Sequence, residues 1–118
     1  MKLFVLVLNK VEKLNELMLQ YAREKICGAT IINSTGMARE IFKSGQMEEE
    51  VSFFNSVRKY LHGEMNENSK TIFAVIREDQ EQTIIRITKE IIGDFSDSDT
   101  GIMFIINLDY ICGKGLEN

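Results

Sequence analysis

The chain has 118 residues, 44% of them hydrophobic and 27% charged, with a net charge of −4, a balance ordinary for one soluble globular domain. Its basic residues are scattered rather than clustered, which argues against an electrostatic nucleic-acid partner and against a basic membrane-surface helix. Its two cysteines, Cys27 and Cys112, form no C-x-x-C pair, so a reducing cytoplasm is expected and no disulfide framework is indicated.

Residues 3–8 are apolar on both parities, the pattern of a strand buried on both faces. The run is too short for a signal-peptide core or a membrane span. Asn9 can cap the helical stretch after it, with Glu12 three residues on to complete a capping-box-like start. Leu14, Leu17, Met18, Tyr21 and Ala22 then recur at helical spacing, and Gly28 lies where a left-handed stop is easiest. Thr30, Ile31 and Ile32 carry a second, β-branched strand over Ala29–Ser34.

A long polar connection runs from 36 to 70, several times the usual length between neighbouring strands. Within it Phe53, Val57, Tyr60 and Leu61 share one face of a short helix. Glu48, Glu49 and Glu50 suit that helix's N-terminus; Arg58, Lys59 and His62 suit its C-terminus, and Gly63 can stop it. Such a loop reads as a binding or switching element, the plainer reading being an insert that packs its aromatics locally.

A third strand covers 71–76. Asp79 can cap a second helix carrying Ile84, Ile87, Ile91 and Ile92 on one face, and Gly93 ends it. After a polar turn over 94–100, Gly101 opens a last strand through Ile106. The expected fold is therefore α+β, a ferredoxin-like βαββαβ domain over the whole chain: an antiparallel sheet with two helices on one face and a long loop, about 40–69, between strands 2 and 3. Two helices cover one side of a sheet, yet three strands are apolar on both. The simplest cover for the second side is the same side of another copy, which predicts a cyclic homo-oligomer.

The element order, the Gly36, Met37, Ala38, Arg39 run at the exit of the second strand, the long loop, and the run from Thr100 through Gly101 and Ile102 after the second helix resemble the PII nitrogen-regulatory proteins, and among them the diverged PII-like branch. The likeness spans essentially the whole chain. It implies a homotrimer that senses adenine nucleotides in clefts between subunits, requires no cofactor, is not an enzyme, and reports through a mobile loop to a membrane transporter or metabolic enzyme. In typical members the loop-entry motif reads Gly-Phe-Gly-Arg-Gln; Gly36, Arg39 and Glu40 occupy its first, fourth and fifth places. Thr30 matches a threonine near the nucleotide. The family's Gly-Asp-Gly-Lys turn falls on Asp99, Thr100, Gly101 and Ile102, so the glycine at 101 is kept and the lysine is lost. The final arginine pair is absent, and Lys114 is the one basic residue offered there. The resemblance thus implies a nucleotide site of Thr30, Gly36, Met37, Ala38, Arg39, Thr100, Gly101, Ile102 and Lys114, with Glu40 a weak candidate magnesium ligand, and a partner-binding loop presenting Phe53, Phe54, Arg58 and Tyr60. Polyphosphate affinity depends on Lys and Arg donors, so AMP or ADP, a cyclic dinucleotide or another ligand becomes as plausible as ATP.

Each candidate has a plainer reading. Arg39 can clamp a phosphate beside Gly36 or stand exposed at a loop entrance. Thr100 and Gly101 can form an anion nest or a simple turn. Asp94, Asp97 and Asp99 fail the EF-hand spacing and read as a solvated turn. His62, the single histidine, reads as a surface residue at a helix C-terminus rather than a catalytic group. The competing function is an ACT-like module binding an amino acid at a subunit interface; a small ferredoxin-like enzyme using His62 is the third reading.

Overall fold

A computed structural model of the chain describes residues 1–44, 68–96 and 100–113. Its architecture is α+β. Strands β1 (Lys2–Leu8), β2 (Ala29–Ser34), β3 (Ser69–Ile76) and β4 (Gly101–Asn107) form one sheet in the order β2-β3-β1-β4, every neighbouring pair antiparallel. Helices α1 (Leu14–Arg23), α2 (Met37–Ser44) and α3 (Glu81–Ile92) complete the described elements, with a 3₁₀ turn leading into each of α1 and α3.

The register explains why β1 and β3 carry apolar residues on both parities. Phe4 sits between Ala74 and Ile105, and Leu6 between Ile72 and Met103, so alternate residues of three strands share one face. Leu17 and Tyr21 of α1 and Ile84, Ile87 and Ile92 of α3 close over that face, and all are buried with Phe4, Leu6 and Leu8 in a single core. The Phe4 and Tyr21 rings meet edge to face at 6.2 Å. Lys2, on the same face, pairs with Glu81 at the start of α3 at 2.9 Å.

The opposite face carries Leu3, Val5 and Val7 of β1, Phe73 and Val75 of β3, and Ile102, Phe104 and Ile106 of β4. Val5 is buried because Phe73 and Phe104 flank it in register, but Ile102, Phe104 and Ile106 remain 56%, 45% and 48% exposed. Among the described residues no helix covers this side. The double apolarity read from the sequence is thus real, one parity filling the core and the other a bare sheet face.

Several local expectations change. Residues 37–44 form α2, not the start of an irregular loop: Glu40 N–H donates to Gly36 O at 3.0 Å and begins the helical ladder. The next 23 residues of the connection, with Phe53, Phe54, Arg58, Tyr60 and the expected helix there, lie outside the described residues. β3 begins two residues earlier than read, at Ser69. Lys10 rather than Asn9 precedes the first 3₁₀ turn. Lys25, at φ 65°, takes the left-handed position after α1 that was expected of Gly28, and Ala22 is exposed. Asp79 does not cap α3: it lies inside the 3₁₀ turn and accepts from Arg77 Nε at 3.0 Å, while Gln80 Oε1 accepts from Arg77 N–H. Gly93 ends α3 at φ 99° as expected.

Candidate functional site

Four chain segments leave the sheet at one end: β1 into Asn9, β2 into Thr35 and Gly36, β3 from Ser69, and β4 from Gly101. Around them opens a cleft of about 400 Å³. Val7 and Ile102 supply its apolar side, Ser34, Ser69 and Thr71 its strand-end hydroxyls, and Gly36, Met37, Ala38 and Arg39 a wall. That wall is the amino end of α2. The amides of Met37, Ala38 and Arg39 precede the first helical hydrogen bond and have no carbonyl of their own helix to meet. The helix end carries partial positive charge, and Arg39 adds a full one. Among the described residues Arg39 forms no ion pair, and no acidic side chain lines the cleft. The described lining of the cleft thus carries positive charge and no negative charge.

Of the residues expected to bind nucleotide, Gly36, Met37, Ala38, Arg39, Gly101 and Ile102 converge on this cleft. Thr30 does not line it. It is an exposed residue on the bare sheet face, paired with Phe73 and four positions from Ser34, roughly 13 Å along the strand. Thr100 is fully buried, its Oγ1 donating to Asp94 O at 3.1 Å and its carbonyl accepting from Asn9 N–H, so its side chain anchors the turn instead of facing a ligand. Glu40 lies beyond the α2 turn, lining a smaller depression of about 180 Å³ with Asn33, Lys43 and Asn68. Among the described residues no three His, Cys, Asp or Glu side chains gather as a metal site. Lys114 lies outside the described residues, as do Asp97 and Asp99. Asp94 accepts from both the N–H and the Oγ of Ser96, at 2.9 and 2.8 Å, and these bonds hold its carboxyl below the usual range.

The two glycines differ. Gly101 has φ 127°, and a Cβ there would lie 2.0 Å from Val7 O; glycine is required for β4 to start against β1. At Gly36 a Cβ would meet nothing within 4 Å, so its place is open cleft rather than strained backbone.

The sequence reading missed Asn9, Ser34, Thr35, Ser69 and Thr71. Their signal was the point where the apolar parity of the bare face changes to hydroxyl: Phe73 and Val75 give way to Thr71 and Ser69, and Ile32 gives way to Ser34. It could not be read without the register. No protein-family model matches the chain, and no curated protein matches it. Among the described residues no helix is long and apolar enough to cross a membrane.

Proposed function

We propose that this chain is a PII-like signalling protein: a ferredoxin-like domain that assembles as a homotrimer, senses a small adenine nucleotide such as AMP, ADP or ATP in clefts between subunits, and regulates a transporter or metabolic enzyme through the segment between α2 and β3. A cytoplasmic location and a signalling rather than catalytic role belong to the same proposal. The observation that carries it is the convergence of Gly36, Met37, Ala38 and Arg39 with Gly101 and Ile102, two runs far apart in sequence, on one cleft. The strand order supports the ferredoxin-like reading. The bare apolar face beside the cleft supports assembly, because Val7 and Ile102 belong to both. A copy packed on that face would border the cleft.

Calorimetry with AMP, ADP and ATP tests it. Wild type should bind at least one of them, and Arg39→Ala should weaken that binding about tenfold or more through loss of a charge-assisted hydrogen bond. Wild type that binds none of the three, or an Arg39→Ala variant that binds equally well, overturns the reading. A dimer that binds an amino acid instead establishes the ACT-like alternative.

A further inference from the structure

The strand-end hydroxyls in the cleft are not merely polar filler, and counting their protons shows why. Thr71 Oγ1 donates to Ser34 Oγ at 2.8 Å, and Ser34 Oγ shares a second hydrogen bond with Ser69 Oγ at 2.7 Å. Three hydroxyls bring three protons. The two bonds use two of them, so one proton stays uncommitted, on Ser69 if Ser34 donates or on Ser34 if Ser69 does. No other hydrogen bond of these hydroxyls exists among the described residues. Ser69 and Thr71 are 5% and 8% exposed, and all three residues line the cleft. Ser34 is only half-buried, so the spare donor reaches the cleft, where water meets it until an acceptor on a ligand takes the water's place.

We propose that Ser34, Ser69 and Thr71 are specificity-determining residues that donate one hydrogen bond from the floor of the cleft to an anionic oxygen of a phosphate monoester. An acceptor complements the spare proton, and it also suits the Arg39 guanidinium and the α2 amides beside it, which can only donate. It is anionic because the same cleft presents Arg39, the free amides of α2 and, among the described residues, no carboxylate. It is phosphate rather than carboxylate because donors arrive from three sources, the strand-end floor, the helix end and the guanidinium, and a phosphate monoester has three unesterified oxygens to meet them where a carboxylate has two. The hydroxyl relay is neutral, so it distinguishes a bound acceptor without adding charge. This inference rests on the nucleotide reading only for the body to which the phosphate is attached.

The test uses the full chain, with AMP and inorganic phosphate as probes in calorimetry. The triple substitution Ser34→Ala, Ser69→Ala, Thr71→Val removes the whole relay and leaves no orphaned partner, the kind of change folded proteins tolerate best. Both probes should bind about tenfold or more weakly to it. In labelled wild type, titration with inorganic phosphate should shift the amide resonances of Ser34, Ser69 and Thr71 together with those of Met37 to Arg39, a readout that does not depend on the variant folding. A triple variant that melts cooperatively yet binds AMP like wild type overturns the hydroxyl assignment and leaves the nucleotide reading standing, as does a wild-type titration that moves the α2 amides alone. Phosphate binding weakened by the substitution, with no adenine nucleotide bound, upholds the assignment and overturns the nucleotide reading. Wild type that binds acetate but neither probe overturns both.

Discussion

The Tyr21 hydroxyl donates to Thr88 Oγ1 at 2.5 Å, because the Thr88 proton is already committed to the Ile84 carbonyl at 2.6 Å. This relay joins α1 to α3 inside the core, where both side chains are buried. Burial pushes the Tyr21 phenol well above its ordinary value. The folded state therefore holds the proton more tightly than the unfolded chain. Stability from this group is complete below about pH 10, where an unfolded tyrosine begins to ionise, and declines as the pH rises from there toward the folded value.

Tyr21→Phe should accordingly cost about 1 kcal/mol at neutral pH, the net worth of one hydrogen bond, since Thr88 keeps its bond to Ile84. It should also flatten the alkaline loss. Lys2, raised by its hydrogen bond with Glu81, loses stabilisation in the same direction, so wild type and variant share that background. Urea unfolding of both proteins at pH 7 and pH 11 measures the difference. A variant as sensitive to pH as wild type would show that Tyr21 does not govern the alkaline limb.

Gly101→Ala should be far more damaging than its size suggests. The added methyl would lie 2.0 Å from Val7 O on a backbone at φ 127°. Strain and overpacking together predict a loss of roughly 3 kcal/mol or more. Gly36→Ala is the contrast, because a Cβ there meets nothing within 4 Å, and its unfolding free energy should stay within about 0.5 kcal/mol of wild type. Equal losses at the two positions would contradict the geometry.

The framework was legible because β1, β3 and β4 are apolar on both parities and α1 and α3 carry regular apolar stripes; pattern alone then gives element type and order. Parity could also announce the bare face, since a helical layer covers only one side. What remained hidden depends on register and local energetics. Ser34 and Ser69 are 35 positions apart, and only the β2 to β3 ladder sets them side by side. Thr100 looked like a nest residue, but its hydroxyl is drawn inward by Asp94 O. The loop-entry run looked irregular because Gly36 and the glycine-bearing flanks suggest a turn, yet Ala38, Arg39 and Glu40 are good helix formers and prevail after Gly36. Lys25 took the left-handed position because the helix ended sooner than Gly28.

Phe104→Arg tests the bare face. Phe104 is half-exposed at its centre, opposite Val5 in the ladder, and among the described residues no element covers it. A charge there costs the isolated domain little, because the arginine can reach water along the sheet. In an assembly that buries this face it would be desolvated without a partner. Light scattering at micromolar concentration should give three chain masses for wild type and one for the variant, with near-identical far-ultraviolet circular dichroism. A wild-type monomer would mean that the face is not an interface between copies.

The two sites make a final, joint prediction. Val7 and Ile102 line the cleft and also belong to the apolar face, so a neighbouring copy seated on that face would meet the cleft mouth. If clefts are completed between subunits, nucleotide binding and assembly are linked, and each must strengthen the other. Arg39→Ala should keep the trimer while weakening the nucleotide about tenfold or more, since it removes one donor from the cleft and nothing from the sheet face. Phe104→Arg should do the reverse in cause but not in outcome: it leaves every cleft residue in place, yet as a monomer it should lose most nucleotide affinity. The converse measurement is dilution of wild type with and without saturating nucleotide, in which bound ligand should move trimer dissociation to lower protein concentration. A Phe104→Arg monomer that binds AMP as tightly as wild type would show that the cleft is complete within one chain, and would separate the ligand site from the assembly.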